Sequence, residues 1–333
     1  MSLPLAALAL MMSAIAAAAG ENWPIHEPTE FEQETGRAEV IRYRELKYDA
    51  SLRSQEYDPL GDYLNYGTTT QFRERDKLKL DDQGVPMILR EGGFFYSPVT
   101  VANYSLMTYG KHLAGEPVDA LLHGAERLLS LQGEDGALRY PYVYRHYTVK
   151  NFYREGWISG MAQGLALSVY ARTYSVTGDS KWQVAGEGAL AFLQVPYPHG
   201  PMTSLADLDP SLSSYVYFEE YLVDPHVYTL NGYMFTLLGL YDWWKVMDSE
   251  IAGDLFIRGI ATLERILPYH DIGSLSTYDI GYITHGKPYL QPIKPHVSAS
   301  YHAFHIAQLR ALHSVTGNET LKRFADRWQD YVK

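Results

Sequence analysis

The sequence has no cysteine among its 333 residues. This absence excludes disulfides, thiolate nucleophiles and zinc sites built on cysteine. Basic residues are scarce as well, because 28 Lys and Arg stand against 39 Asp and Glu and give a formal net charge of −11. Such an acidic chain lacks the basic surface that neutralises phosphates, so we expect no nucleic-acid partner.

Several motifs of common enzyme classes are missing too. The chain has no complete phosphate-binding glycine loop, no GxGxxG fingerprint and no HExxH zinc motif. No nucleophile elbow supports a serine triad. The sequence therefore predicts no organic cofactor and no metal.

Long apolar runs are confined to the N-terminus. Residues 3–19 are apolar or small and end in Ala17–Ala19, which is typical of a cleaved export signal, although no Lys or Arg precedes them. We interpret residues 1–20 as such a signal, which would place the protein in the periplasm or outside the cell. An uncleaved membrane anchor and an ordinary buried helix are the alternatives. The rest of the chain has no segment of membrane-spanning length.

The remaining chain divides by its periodicity. Residues 21–95 carry turn signals and few apolar repeats, which predicts an irregular arm with short strands. Residues 96–333 show helical periodicity in pairs, at 98–112 with 117–131, 157–176 with 180–194, 230–247 with 250–267, and 299–315 with 318–332. The sequence thus predicts a mainly α fold, an α/α toroid of about four helical hairpins, as the catalytic domain.

In such an array, the loops that enter the first helix of each hairpin gather at one end. These loops are residues 90–98, 139–157, 210–230 and 286–300, and we expect a site there. The second loop includes RYPYVYRHYTVKNFYREGW (139–157), which is rich in tyrosine and basic residues. Two interpretations remain open: a groove for a polyanionic sugar chain, and a structural hairpin with Tyr140, Tyr142 and Tyr144 packed at period two.

Two clusters in the later loops could carry chemistry. In FEEYLVDPHVYTLNGYMF (218–235), Glu219 and Glu220 would point to opposite sides of a strand, so that one could face a cleft. In HVSASYHAFH (296–305), Tyr301 opens a helix, and His302 and His305 have a spacing that could hold a metal or could simply pack. For an isolated motif of either kind, an ordinary structural role is the more common one.

At this point several ordered motifs resemble the D-glucuronyl C5-epimerases, which convert glucuronate to iduronate within heparan-type chains. The motifs are GVPMILREGGFFYSPVTVANYSLMTYGKHL (84–113), REGWISGMAQGLALSVYARTY (154–174), FEEYLVDPHVYTLNGYMFTLLGLYDWW (218–244), LPYHDIGSLSTYDI (267–280) and YHAFHIAQLRALHSVTGNETLKRFADRW (301–328). The resemblance covers most of residues 84–330.

This resemblance implies a catalytic carboxylate at Glu220, a neighbouring phenol at Tyr221 and a second catalytic phenol at Tyr301. Tyr96 and Tyr104 fall in a segment that resembles a substrate-lining one. Further substrate-binding candidates come from these motifs and from the basic loop, namely Arg139, Arg145, Arg154, Glu155, Trp157, Asn231, His302 and His305.

The implied reaction is C5 epimerisation in an acidic, heparosan-like polysaccharide. It needs two acid/base groups on opposite faces of the sugar, and cations or strong donors at the sugar carboxylate. Which group removes the proton stays open. The alternatives are a uronate lyase, a glycuronyl hydrolase with two carboxylates across the bond, and a non-catalytic glycan-binding protein.

The chain also departs from the family pattern. Animal members have a large β-rich region between the segments that correspond to Tyr96 and Trp157, and here these residues are 61 positions apart. Animal members also have an arginine roughly where Gly281 stands. A homodimer is possible by the same resemblance, although the missing region could remove part of its interface.

Overall fold

The computed structural model describes residues 26–46, 56–146, 150–286 and 291–333. The predicted export signal at residues 1–20 lies outside these ranges. Within them, no helix is both long and apolar enough to cross a membrane.

The N-terminal arm contains more helix than its sequence suggests. It begins with helix α1 (Glu30–Leu46) and continues into a three-stranded antiparallel sheet of β1 (Leu78–Leu80), β2 (Pro86–Arg90) and β3 (Gly93–Phe95). The short strands match the prediction, and helix α1 is an additional element that the sequence reasoning did not identify. The segment EFEQETGRAEVIRYREL is predominantly polar, so it lacks the apolar repeat that reveals a buried helix.

Four helical hairpins follow, as the sequence predicts. Their first helices are α2 (Pro98–Leu113), α4 (Gly160–Thr177), α6 (Leu230–Met247) and α8 (Ala299–Thr316). Their second helices are α3 (Asp119–Leu129), α5 (Ser180–Leu193), α7 (Glu250–His270) and α9 (Glu319–Tyr331). The predicted toroid of four hairpins is therefore confirmed.

The hairpin turns are built by the residues that the sequence marks. Gly178 and Gly317 end α4 and α8 with φ values of 65° and 66°, a left-handed conformation that favours glycine. Asp179 then caps α5 by accepting a hydrogen bond from the Lys181 amide at 2.9 Å. Asn318 caps α9 in the same way, with the Thr320 amide at 2.9 Å.

The first helices form the inner layer and the second helices the outer one. Helix α4 is buried on every side from Gly160 to Thr173, whereas α9 buries one face with Leu321, Phe324, Ala325 and Trp328. This difference identifies α4 as a core helix and α9 as an amphipathic surface helix.

The inner helices lie side by side in chain order, α2 on α4, α4 on α6 and α6 on α8. Helices α4 and α6 approach most closely at glycines, because a Cβ on Gly239 would lie 1.9 Å from the Gly164 carbonyl oxygen. The gap between α8 and α2 is occupied by a 3-10 turn of the arm, Tyr63–Asn65, which contacts both helices.

Two small hairpins lie in the loops between these pairs. Strands β4 (Tyr144–Arg145) and β5 (Phe152–Tyr153) pair within the basic loop, and β6 (Met202–Ser204) pairs with β7 (Val216–Phe218). Both are antiparallel. They lead directly into the inner helices α4 and α6 and so place their loops at the same end of the toroid.

Candidate active site

A cleft of about 400 Å³ opens at the end of the toroid where the inner helices begin. Its lining comes from the first turns of α2, α4, α6 and α8 and from three of the four loops that the sequence places there, with Ser97, Tyr144 and Glu220 among their residues. The predicted convergence is confirmed for these three loops. The fourth predicted loop, 286–300, contributes none of its described residues; the connection between α7 and α8 reaches the cleft earlier, at Tyr278.

Glu220 is positioned through the backbone of its neighbour. The Glu219 amide donates to the Pro201 carbonyl at 2.8 Å, and the Glu219 carbonyl accepts from the Gly160 amide at 2.8 Å. These bonds fix the end of β7 against β6 on one side and against the start of α4 on the other. A Cβ on Gly160 would lie 2.8 Å from the Glu219 carbonyl oxygen, so glycine permits this close approach.

The Glu220 side chain then turns toward the cleft and packs against the start of α6. A Cβ on Gly232 would lie 2.2 Å from its Oε2 atom, so the carboxyl occupies the space that glycine leaves. The Tyr278 hydroxyl donates to Glu220 Oε1 at 3.1 Å. Burial raises the pKa of Glu220 to about 7, while hydrogen bonds from Tyr278 and Tyr221 oppose this rise.

Glu219 points to the opposite side, as the sequence predicts, although β7 already ends at Phe218. Its side chain is fully buried, not solvated, and its Oε1 atom accepts from the Tyr228 amide at 3.3 Å and lies 3.8 Å from His226 Nδ1. Burial raises its pKa well above the ordinary range. The two adjacent acids are thus separated into one that faces the cleft and one that is enclosed behind it.

Tyr278 lies between Glu220 and Tyr301. Its ring centroid is 4.2 Å from that of Tyr301, and its hydroxyl bonds Glu220. Its backbone is fixed at both ends, because its carbonyl accepts from the Leu230 amide at 2.9 Å and its amide donates to the His296 carbonyl at 2.8 Å. Burial, together with the charge of Glu220, raises the pKa of Tyr301 to about 12.

A wall of stacked aromatic rings borders this group. Tyr144 stacks on Tyr221 with centroids 5.6 Å apart, and Trp157 stacks on Tyr140 at 3.7 Å. Trp157 also donates its indole N–H to the Tyr142 carbonyl at 3.0 Å. Tyr140, Tyr142 and Tyr144 are therefore packed, as in the structural interpretation, and they also line the cleft. Flat faces with polar edges suit sugar rings.

The cations of the basic loop do not reach the cleft. Arg139 forms a two-pronged ion pair with Asp135, at 2.6 and 2.7 Å. Arg145, Arg154 and Glu155 are exposed, and none of them belongs to the cleft lining. By contrast, the predicted residues Trp157 and Asn231 do line it, and the buried Asn231 Oδ1 atom has no hydrogen-bond partner among the described residues.

Four other candidates lie outside the cleft. The Tyr96 hydroxyl donates to Asp81 at 2.7 Å, and Tyr104 is buried edge-on against Phe72. His302 and His305 face Ser276, whose hydroxyl is 2.8 and 2.7 Å from their Nδ1 atoms. Both histidines therefore hold a loop on α8, and within the described ranges no cluster of three potential metal ligands forms.

Among the lining residues that sequence reasoning missed, Tyr278 and Arg90 bear most directly on the chemistry. Tyr278 belongs to the quoted motif STYDI, but only the folded chain brings it to Glu220. Arg90, at the end of β2, supplies the cationic side chain of the described lining, and it precedes the first hairpin inside the quoted motif GVPMILREGG. Arg90 could have been recognised from the sequence, because it is an arginine on the loop that enters α2, one of the loops predicted to form the site.

The helix directions add a positive potential to this end of the toroid. The cleft lining includes Thr100, Met161, Asn231 and Tyr301, which lie in the first turns of four different inner helices. Helix N-termini carry partial positive charge and free amide donors. This potential favours an anionic group in the cleft even though the whole protein is acidic.

Fold and site together define an α/α toroid with a buried carboxyl and two phenols in a cleft suited to carbohydrate. A family model described as D-glucuronyl C5-epimerase C-terminus matches residues 132–330. The chain belongs to the D-glucuronyl C5-epimerase family.

Individual relatives are more distant. Over 190 residues the chain is 28% identical to a D-glucuronyl C5-epimerase of Caenorhabditis elegans, an alignment that covers 53% of this chain and 29% of the relative. An uncharacterized protein of Methanocaldococcus jannaschii is 23% identical over 192 residues, 58% of this chain and 56% of the relative. The chain spans less than two thirds of the length of either relative.

Solved structures resemble the chain only loosely. A family 76 glycoside hydrolase from a bovine Bacteroides thetaiotaomicron strain has a TM-score of 0.45 at 10% identity, covering 95% of this chain and 79% of that one. An unsaturated glucuronyl hydrolase mutant from Streptococcus agalactiae has a TM-score of 0.40 at 11% identity, covering 66% and 58%.

Proposed function

We propose that this protein is a glucuronyl C5-epimerase that inverts glucuronate to iduronate within an acidic, heparosan-like polysaccharide. The observation that carries the proposal is the buried group of Glu220, Tyr278 and Tyr301 in a cleft at the helix N-termini. Epimerisation at C5 needs one group that accepts a proton and one that donates a proton, and this group contains both kinds.

The protonation states of Glu220 and Tyr301 favour one direction of proton transfer, from the sugar to Glu220 and from Tyr301 to the sugar. Near neutral pH, Glu220 with a pKa of about 7 is partly a carboxylate, whereas Tyr301 with a pKa of about 12 is a phenol. Glu220 would then remove the C5 proton of glucuronate, and the electrons of the C5–H bond would form an enolate with the sugar carboxylate. Tyr301 would deliver its hydroxyl proton to the opposite face of C5 and become a phenolate.

The enolate intermediate carries extra negative charge and needs stabilisation. The first turns of the inner helices and the aromatic hydroxyls near Glu220 supply oriented dipoles for this purpose. Because they are already positioned in the fold, they would cost little reorganisation during the reaction.

A lyase would share the first step and then expel the substituent at C4, giving an unsaturated sugar. A hydrolase would need a second carboxylate across the glycosidic bond. Among the described residues that line the cleft, Glu220 is the only carboxylate, and this supports the epimerase over the hydrolase. A glycan-binding protein would bind without turnover.

The experiment is proton NMR of heparosan and N-sulfated heparosan incubated with the protein in D2O. We expect loss of the C5 proton signal and new iduronate resonances, and the preferred polymer will identify the substrate. If both polymers stayed intact and retained their C5 protons, the proposal would be contradicted. An unsaturated product would instead identify a lyase.

Export through residues 1–20 and assembly as a homodimer stay predictions alongside this proposal. A size-exclusion measurement on the chain without residues 1–20 would test the dimer, with a single monomer peak as the contradicting result.

A further inference from the structure

Arg90 occupies an unusual position at the mouth of the cleft. It ends strand β2, opposite Gly93, and its exposed side chain lines the cleft. Its guanidinium carbon lies 5.2 Å from the ring centroid of Tyr142, and its Nη1 atom donates to the Leu89 carbonyl at 3.1 Å. These contacts orient the guanidinium over the aromatic wall.

No carboxylate of the described chain lies within ion-pair distance of Arg90. Several other arginines do pair with carboxylates, for example Arg139 with Asp135 at 2.6 Å and the buried Arg172 with Asp242 at 2.6 Å. Arg90 is also the only Lys or Arg among the described residues that line the cleft. An arginine in this position is available for an anion from outside the protein.

Arg90 and Glu220 both act on the titration of Tyr144, which lines the same cleft. Burial raises the pKa of Tyr144 and the charge of Glu220 raises it further, whereas Arg90 lowers it. The Tyr144 hydroxyl is therefore within electrostatic range of both groups. Arg90, Tyr144 and Glu220 all line the cleft.

We propose that Arg90 binds the carboxylate of the uronate sugar in the cleft and thereby directs C5 toward Glu220 and Tyr301. This inference rests on the proposed function. A guanidinium matches a carboxylate with two parallel hydrogen bonds, so it fixes the rotation of the group as well as its place. The same contact would stabilise the enolate that forms when the C5 proton leaves.

The test compares four dissociation constants. A heparosan octasaccharide and the same octasaccharide with its carboxyls reduced to alcohols are titrated calorimetrically into Glu220→Gln and into Glu220→Gln with Arg90→Gln. The Glu220→Gln background keeps the ligand chemically unchanged. We expect Arg90→Gln to weaken binding of the native octasaccharide by about 10- to 100-fold, the range for a hydrogen bond to a charged group.

The reduced octasaccharide should bind both proteins equally, because it has no carboxylate for Arg90 to hold. Equal weakening of both ligands would overturn the inference, since Arg90 would then contact another part of the sugar. Unchanged affinity for the native ligand would overturn it as well. Arg37→Gln, an arginine exposed on α1, is the matched control and should change neither constant.

Kinetics then test whether Arg90 holds the carboxylate of the reacting sugar or that of a neighbouring sugar in the chain. If Arg90 holds the carboxylate of the reacting sugar, Arg90→Gln lowers kcat for C5 exchange as well as raising KM, and Arg90→Lys restores only part of both. A rise in KM with unchanged kcat would contradict this placement. The four dissociation constants do not depend on turnover. Absence of epimerase activity would therefore contradict the proposed function and leave the binding result for Arg90 interpretable.

Discussion

At the scale of single residues, two opposing effects set the proton affinity of Glu220. Burial raises its pKa to about 7, and the hydrogen bond from Tyr278 acts in the opposite direction. The carboxylate form accepts this bond and is stabilised by it. The balance keeps the group close to the pH at which a base is most useful.

Removing the Tyr278 hydroxyl should disturb this balance in a known direction. In Tyr278→Phe the ring still packs on Tyr301, but the bond at 3.1 Å is lost. The pKa of Glu220 should therefore rise above its wild-type value. A carbon-13 NMR titration of carboxyl-labelled glutamate, assigned with Glu220→Gln, measures the shift without depending on activity.

Tyr331→Phe is the matched control, because the Tyr331 hydroxyl bonds Asp271 at 2.9 Å and lies outside the cleft lining. It should leave the Glu220 titration unchanged. A Glu220 pKa that stays in place or falls in Tyr278→Phe would contradict the account. In active protein, the acid limb of kcat/KM should follow the same shift to higher pH.

At the residue scale the sequence supports only part of the site. Glu220, Tyr221 and Tyr301 are recognisable from motifs, and all three lie in the cleft. Arg90 and Tyr278 were not recognised, because their role depends on which loops meet in space. Arg145 and Arg154 belong to the right loop, but their side chains are exposed away from the cleft lining.

At the scale of elements, the first turn of α6 supports the Glu220 carboxyl, the proposed base. A Cβ on Gly232 would lie 2.2 Å from Glu220 Oε2, so Gly232→Ala must displace the carboxyl. We expect this variant to lose most of its C5 exchange while the free energy of unfolding changes little, because a flexible side chain can move aside. Exchange by NMR and urea unfolding measure the two quantities.

Gly239→Ala, two turns further along α6, is the variant with which Gly232→Ala is compared. A Cβ there would lie 1.9 Å from the Gly164 carbonyl oxygen, and a backbone atom cannot move aside. Gly239→Ala should lower the free energy of unfolding by about 1–3 kcal/mol, as overpacking usually does. If Gly232→Ala were the less stable of the two and kept full exchange, the assigned support role would be wrong.

Element boundaries were the most predictable part of this protein. The hairpin turns at Gly178–Asp179 and Gly317–Asn318 carry both a left-handed glycine and an N-cap, so local chemistry alone fixes where the helices stop. Helix α1 was missed because its stability comes from packing against α8 rather than from an apolar stripe of its own.

At the scale of the whole molecule, buried histidines couple folding to pH. Burial lowers the pKa of His302 to about 4 and of His270 to about 3, and lowers that of His305 well below its ordinary value. These groups are neutral in the folded protein, whereas in the unfolded chain they gain protons near pH 6.5. Their contribution to stability is therefore complete above pH 6.5 and is lost as the pH falls toward 4.

Glu219 and Glu220 act in the opposite sense, because their pKa values are raised by burial. Their contribution favours folding below the pKa values that they have in the unfolded chain, and for Glu220 it declines as the pH rises through about 7.

Substitution separates the effect of the histidines from that of the glutamates. Comparing wild type with His302→Gln by urea unfolding from pH 7.5 to 4.5, we expect a smaller loss of unfolding free energy in the variant.

His313→Gln is the control for that comparison, because this half-buried histidine lies near the C-terminal end of α8, whereas His302 and His305 lie buried near its start. It should keep the pH dependence of the wild type. Identical slopes for wild type and His302→Gln would mean that the buried histidine does not resist protonation.

The central claim is that Glu220 removes a carbon-bound proton from a uronate sugar. The most direct measurement is the rate of deuterium incorporation at C5 of heparosan in D2O, for wild type, Glu220→Gln and the surface control Glu187→Gln. We expect incorporation by wild type and Glu187→Gln, and a decrease of about 100- to 10,000-fold in Glu220→Gln, the usual range for a lost general base. Equal incorporation by wild type and Glu220→Gln would contradict it.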